Sequence, residues 1–455
     1  MGRAKLAAAA ALAAMALTAC SGGDGGGGGK PTSGHPAQPQ GGKPSAPLTK
    51  LAVPNGFDVS KGWEQTLAWM PEDARTTPVA DAPRSEAVAY LDSSEDGYVP
   101  TLRDVRTGAV RWRGAPWQPP EAIEDPAGKG VEIPDVVVAG QGGREYVVAW
   151  AHGKSGGDGF TKGREVVEAV VYPADAHGSA VEPTRKVTLL LSDSGTAPRS
   201  DVEVRDGGGA GLLVTWDKGA QGASVDLVSG HVRSLPSTGK TKTGCVDTCM
   251  PGSAYAAVTT AGAVIANDSG GFGIDGGWYS RDVRPSGVPA THDFAQNGVV
   301  EGGTGGELVA RWHPVAKGSD GDPVWAVHDA ATGKVRATVS CGTAIPDEDA
   351  GARLSPDGRY LVFDTVAFDL TTGKGRCFAE TPTHHAVRFV SVAADGTAYG
   401  TTPDGTPVLV SLPTGSAVPQ PHGLQLPLTL YPDRAIFATA DPSGPHHLII
   451  YPRTH

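Results

Sequence analysis

Helix is what the sequence withholds first. Beyond residue 20 no stretch repeats its apolar residues at three-and-four spacing, which argues against a helical bundle or a helix-flanked parallel sheet. Later apolar runs, such as those around Leu189 and Ile449, are only a few residues long, far below the roughly 20 residues a membrane-crossing helix needs. No Cys-x-x-Cys spacing occurs, which argues against a zinc site. No Lys/Arg-rich patch with interleaved aromatics occurs either, and a formal net charge of −11 repels phosphate backbones, so nucleic acid is not an expected partner.

What is present begins with an export signal. Arg3 and Lys5 precede an apolar run over 6–19, which ends in Leu17-Thr18-Ala19-Cys20. Small residues before a cysteine are suited to cleavage and lipidation, so residues 1–20 are expected to be a lipoprotein signal peptide with Cys20 as the acylated residue. The expected location is the extracytoplasmic side of the cell membrane, held there by lipid. Residues 21–55 are the expected tether: 21–50 hold ten Gly, five Pro and three Ser and no aromatic, and cannot bury a core. The folded domain is expected over 56–455, starting near Phe57.

With Cys20 set aside for lipid, Cys245, Cys249, Cys341 and Cys377 remain in an oxidising compartment, where four thiols can pair in three ways. Chain proximity favours Cys245 with Cys249 and Cys341 with Cys377. Removing Arg3 and Lys5 with the leader takes the charge from −11 to −13.

Short β-branched and aromatic runs bounded by Gly, Pro, Asp and Asn recur throughout, which is the composition of strands and turns. One phrase repeats. Asp104-Val105-Arg106-Thr107-Gly108 returns as Asp329-Ala330-Ala331-Thr332-Gly333 and as Asp369-Leu370-Thr371-Thr372-Gly373. Gly takes a positive φ in a tight hairpin while the Asp and Thr side chains bond nearby backbone groups. Looser versions end at Gly178, Gly230, Gly287 and Gly415, which gives intervals of 70, 52, 57, 46, 40 and 42 residues. These fit four-stranded blades of roughly 40–45 residues with insertions in the earlier ones.

Segments ending in a large ring, 146–150, 212–216, 308–312 and 360–363, are expected to pack between blades. Strands over 428–431, 435–440 and 448–451 make a last blade short of one strand, which 63–69 can supply. The expected fold is all-β: a β-propeller of eight four-stranded blades, with seven as the alternative count, closed by an N-terminal strand.

The phrase Ala367-Phe368-Asp369-Leu370-Thr371-Thr372-Gly373-Lys374-Gly375-Arg376-Cys377 resembles the Ala-x-Asp-x-x-Thr-Gly-Lys-x-x-Trp docking motif of quinoprotein-type propellers, with Cys377 where the motif has Trp. Asp104 to Trp112 matches it from the Asp onward, with Ala109 replacing Lys. Leu354-Ser355-Pro356-Asp357-Gly358-Arg359-Tyr360 resembles a turn of other periplasmic and WD-repeat-like propellers. The resemblance implies either a dehydrogenase binding pyrroloquinoline quinone or a lipid-anchored scaffold that binds no cofactor and assembles with envelope proteins. The sequence has no adjacent Cys-Cys pair of the kind such dehydrogenases stack on their quinone, so the scaffold branch, without cofactor or catalysis, is the expected one.

Tight turns at Gly108, Gly333, Gly373 and 355–358 contrast with long connections over 117–135, 152–163, 237–250, 267–277, 313–322 and 341–351. The two classes should lie on opposite faces, and binding surfaces favour long loops on a rigid scaffold. Trp117, Phe160, Phe272 and Trp278 are the expected aromatic anchors there, with His152, His313, His384 and His385 beside them. The expected function is recognition of an envelope protein, peptide or glycan; the alternative is a quinone- or metal-dependent oxidoreductase or a hydrolase on the same face. Gly153-Lys154-Ser155-Gly156-Gly157 matches a nucleophile elbow by letter, but a glycine-rich loop between strands is not the strand-to-helix turn that chemistry needs. Gly271-Phe272-Gly273-Ile274-Asp275-Gly276 matches a dinucleotide pattern by letter, yet no helix follows to receive a pyrophosphate.

Overall fold

A computed structural model of the chain describes residues 48–454 apart from 72, 75, 124–131, 159, 161, 193–198, 200, 239–252, 289–297, 314–321, 343–349 and 441–445. The leader, Cys20, most of the tether, Cys245 and Cys249 lie outside the described residues.

Eight antiparallel blades follow one another along the chain, blades 5 and 6 being joined edge to edge by a parallel pair of Thr338 with Lys374. Blade 1 is Val79–Ala82, Ala87–Ser94, Gly97–Asp104 and Val110–Gly114; blade 2 is Asp135–Gln141, Arg144–Ser155, Arg164–Pro173 and Arg185–Ser192. Blade 3 is Glu203–Asp206, Leu212–Trp216, Gln221–Val225 and Val232–Ser234; blade 4 has Ser253–Thr259, Gly262–Asn267 and Phe272–Ile274. Blade 5 is Val299–Thr304, Glu307–Trp312, Val324–Asp329 and Val335–Ser340; blade 6 is Arg353–Leu354, Tyr360–Phe363, Val366–Asp369 and Lys374–Cys377. Blade 7 is Arg388–Val392, Thr397–Thr401, Pro407–Ser411 and Ser416–Pro419. Blade 8 is Thr429–Leu430, Arg434–Ala440 and His446–Pro452, and takes its fourth strand, Trp63–Leu67, from the other end of the domain, with Trp63 opposite Ile450 and Leu67 opposite His446.

The core is a ring of eight blade-to-blade interfaces. Because side chains alternate across a strand, each second strand is buried on both sides and reads as a continuous apolar run. In blade 2, Val147 and Ala149 pack with Ala89 and Leu102 of blade 1, while Tyr146 and Val148 pack with Leu212 and Val214 of blade 3. Leu361 and Phe363 of blade 6 join Trp325 of blade 5, and Tyr360 and Val362 join Val408 of blade 7. Blades 3 and 4 meet at Leu213 and Ile265, and blades 4 and 5 at Phe272 and Trp312. Blades 7 and 8 meet at Tyr399 and Phe437. The circle closes where Trp63 and Ile450 of blade 8 meet Val88 and Val105 of blade 1. Eight interfaces between eight consecutive blades define a closed eight-bladed β-propeller. Leu48, Leu51 and Val53 already pack on the blade 7/8 interface, so chain packing starts ahead of the expected Phe57.

The repeated turns behave as their residues dictate. Oδ1 of Asp104 accepts from the Thr107 amide at 2.7 Å and its hydroxyl at 2.9 Å, and Asp329 does the same with Thr332 at 2.8 and 2.7 Å. Gly108, Gly230, Gly333 and Gly373 sit at φ between 69° and 76°. Each covering residue comes from the preceding blade. A methyl on Gly108 would lie 2.5 Å from the Trp63 ring, one on Gly333 would lie 2.5 Å from the Trp278 ring, and one on Gly415 would lie 2.4 Å from the Arg376 guanidinium.

Three expectations need correction. Gly178 begins a short strand, Gly178–Val181, that pairs in parallel with Val110–Gly114 of blade 1, inside an extended connection between the third and fourth strands of blade 2. In blade 4 the corresponding turn is Asp275-Gly276-Gly277, closed by the Gly277 amide on the Ile274 carbonyl, so Gly287 lies beyond it. Among the described residues that blade has three strands: a single bridge from Gly273 to Tyr279 stands where the fourth would be, and a turn of 3₁₀ helix, Ser280–Asp282, follows at once.

Candidate recognition face

Antiparallel order puts the first-to-second and third-to-fourth turns of every blade at one end, and the second-to-third and blade-to-blade connections at the other. Apart from the extended third-to-fourth connection of blade 2, the long connections belong to the second end, and blade 2 dominates it. Its central hairpin is the longest in the molecule among the described residues: Arg144–Ser155 stays paired with Arg164–Pro173 as far as Ser155 opposite Arg164. Gly153, Lys154 and Ser155 are therefore strand, not the loop their composition suggested. Phe160 stands at this tip with its residue surface 99% exposed.

Polar locks hold the outer end of the hairpin. The connection leaving blade 1 pairs with it through two backbone bonds between Glu121 and Lys154, of 2.9 and 2.7 Å. His152 is nearly enclosed. Its Nε2 lies 2.9 Å from Glu165 Oε1 and its Nδ1 3.3 Å from Glu132 Oε1. Glu165 also accepts from the Ser192 hydroxyl at 2.6 Å and the Arg199 amide at 2.6 Å. Burial alone would lower the pKa of the His152 ring, but the two carboxylates outweigh it and raise that pKa above the usual histidine value. Burial would likewise raise Glu165, and the Ser192, Arg199 and His152 bonds together hold it below the usual range. A charged pair inside a hydrophobic hairpin is thus fully hydrogen-bonded, as burial requires.

Trp117 lies beside this cluster, 5% exposed, and its indole N–H donates to Glu168 Oε1 at 2.7 Å; Lys186 reaches the same oxygen at 2.9 Å. Trp117 is therefore not a surface anchor but a ring that seals blade 1 against blade 2. Phe272 is likewise corrected. It is 2% exposed and meets Trp278, Trp312 and His328 edge-on, at 5.7, 5.8 and 5.2 Å. The expected long connection over 267–277 is in fact the strand Phe272–Ile274 with a tight turn on either side. Trp278 sits at the opposite end of the molecule, lying on Gly333 and donating to the Ala331 carbonyl at 3.1 Å.

His313 is exposed beside Arg311, 3.0 Å away, whose charge adds to partial burial in lowering the imidazole pKa. His384 and His385 are exposed in the connection from blade 6 to blade 7, with Glu380 3.2 Å from His385. These three share the loop-rich face with Phe160 and His152 but are not within bonding distance of them. Among the described residues, no three His, Cys, Asp or Glu side chains converge as a metal site would require. Cys341 and Cys377 form a disulfide joining the ends of the fourth strands of blades 5 and 6 on this face.

Glu165, Glu168, Ser192 and Arg199 were not singled out by sequence reasoning. The available signal was two acids inside the apolar strand Arg164–Pro173, where an unpartnered carboxylate would not be tolerated.

No protein-family model and no curated protein matches the sequence. Solved structures do. BamB from Moraxella catarrhalis aligns at 13% identity and a TM-score of 0.40, over 86% of this chain and 98% of that one. The β-propeller domain of Cps50 (Swd1) from Myceliophteria thermophila aligns at 11% identity and 0.41, over 88% and 100%. The Dos1 propeller aligns at 10% identity and 0.41, over 86% and 95%. The fold assignment rests on the closed ring of blade interfaces, not on these likenesses.

Proposed function

We propose that this chain is a lipid-anchored extracytoplasmic recognition protein that uses the loop-rich face of its propeller to bind a protein, peptide or glycan of the cell envelope. The leader ending at Cys20 supports the anchor, and the division of turns and long connections between two ends supports the face. One observation carries the reading. Phe160 presents a nearly fully exposed ring at the tip of the longest described hairpin, while the last paired residues before that tip are held by His152, Glu165 and the Glu121–Lys154 bridge. An aromatic ring held out on a rigid support loses little conformational freedom on binding and contributes a large apolar contact.

Phe160→Ala removes that ring without removing a core contact. Partner recovery from detergent-solubilised membranes should fall severalfold while the melting temperature stays within a degree of wild type; Cys20→Ala in the same fractionation should move the protein to the soluble fraction. Unchanged recovery with Phe160→Ala would remove this face from consideration.

A further inference from the structure

A second surface lies at the tight-turn end, between blades 6 and 7, where an open cleft of about 500 Å³ has an apolar floor that includes Tyr360, Phe368 and Leu412. Three cations rim it: Arg359 from the first turn of blade 6, and Lys374 and Arg376 from its fourth strand, against Asp369 as the one lining acid. A local excess of positive charge stands out in a chain of net charge −11.

The repeats supply an internal control. Arg111 in blade 1 and Arg336 in blade 5 occupy the place of Arg376, and each is neutralised by a carboxylate, Asp104 at 2.6 Å and Glu307 at 2.7 Å. Arg376 instead donates to the Pro413 carbonyl at 2.6 Å, and no carboxylate among the described residues forms an ion pair with it. At the place of Arg359 those blades have Glu86 and Gly306, whose carbonyls accept the same backbone bond from the following turn. Arg359 is fixed in direction, bonded to Asp369 at 2.9 Å and lying over the Tyr360 ring at 4.7 Å. Lys374 is exposed and has no ion-pair partner among the described residues.

From this juxtaposition we propose that the blade 6/7 cleft binds an acidic peptide segment in which a carboxylate adjoins an apolar side chain. The rim cations take the carboxylate and the floor takes the apolar group. A free phosphate would use the rim and leave the floor wet, so the paired chemistry points to peptide.

The test uses the full chain and a fluorescein-labelled hexapeptide alternating leucine and glutamate, read by anisotropy, with a twin in which every glutamate is glutamine. The acidic peptide should bind, and more weakly as salt is raised. Lys374→Glu should weaken it about tenfold or more with an unchanged melting temperature, since that side chain is exposed and supports no other group. Arg376→Gln is the second variant, and Phe160→Ala should leave the affinity unaltered. Equal binding of the glutamine twin, an unaltered affinity in Lys374→Glu, or loss of binding in Phe160→Ala would overturn the proposal. So would displacement of the peptide by millimolar inorganic phosphate, which would mark a free-oxyanion site.

Discussion

Replacing His152 by Ala tests whether the charged pair at the outer end of the blade 2 hairpin stabilises the fold. The His152 and Glu165 side chains are 4% and 5% exposed, so the substitution strands a buried carboxylate. Removing one partner of such a pair costs about 3–5 kcal/mol, and the bonds from Ser192 and Arg199 that remain to Glu165 place the expectation near the lower figure. For a folded unit of about 400 residues, Pro47–His455, the entropy of unfolding is roughly 0.8 kcal/mol per degree at the midpoint. The melting temperature should therefore drop by about 3–4 °C at pH 6. The gap should depend on pH in a defined direction. The folded-state pKa of His152 is raised, so its contribution is complete below the unfolded value of about 6.5 and fades as pH rises through the folded value. That of Glu165 is lowered, so the same interaction holds above about 4.3 and fades as pH falls through the folded value. Calorimetry of wild type and variant should show the widest gap between those limits and a gap that narrows as pH rises through the raised folded-state value of His152. His152→Gln, which keeps a neutral polar group, should come closer to wild type as pH rises. A gap that stays constant as pH is raised from 6 into the alkaline range would refute the charged-pair account.

His328 should behave oppositely. Its ring is fully buried, donates from Nδ1 to the Gly333 carbonyl at 2.9 Å and accepts at Nε2 from Trp312 at 3.3 Å, and burial pushes its pKa down to about 4. The unfolded chain takes up the proton first, so stability present above about pH 6.5 should fall by roughly 3 kcal/mol as pH drops through 4. NMR of ring nitrogens should find His328 neutral and His152 protonated at pH 5.5; a protonated His328 there contradicts the assignment. At the docking turns, Gly333→Ala meets both a positive φ of 72° and the Trp278 ring, and should destabilise by roughly 2–3 kcal/mol. Gly405→Ala has a similar φ but open space around it, and should cost only about 1 kcal/mol. Equal melting shifts for the two would show that the Trp278 contact contributes nothing.

The architecture was legible because propeller blades repeat a local problem. A tight turn joining a third strand to a fourth needs a positive-φ glycine and a side chain to hold backbone amides, and Asp-x-x-Thr-Gly supplies both without reference to the rest of the molecule. Where a blade solves the turn differently, the signal fails. Asp275-Gly276-Gly277 in blade 4 has no Thr-Gly, so the count there was carried by Gly287, and blade 2 lengthens its turn to reach back to blade 1. Closure was legible for a related reason: three strands at the C-terminus leave one edge unpaired, and only a segment near Trp63 offered a fourth.

The site was less legible because whether a ring on a connection is buried depends on what lies opposite it, and that is not local. Trp117, Phe272 and Phe160 all fall between strands or beside turns in a propeller, and composition treats them alike. Trp117 is withdrawn from solvent because Glu168, 51 residues away, accepts its indole hydrogen and satisfies the polar end that burial would otherwise strand. Phe272 has no polar end and is enclosed by rings from its own blade and the next. The Phe160 amide donates to Asp158 Oδ1 at 2.8 Å, yet no apolar partner among the described residues reaches its ring. A surface phenylalanine retains the full driving force for apolar contact, about 25 cal/mol for each Å² it removes from water. The other two rings have already used theirs within the ring of blades, so of the aromatic positions first considered Phe160 is the one at which an external partner gains most.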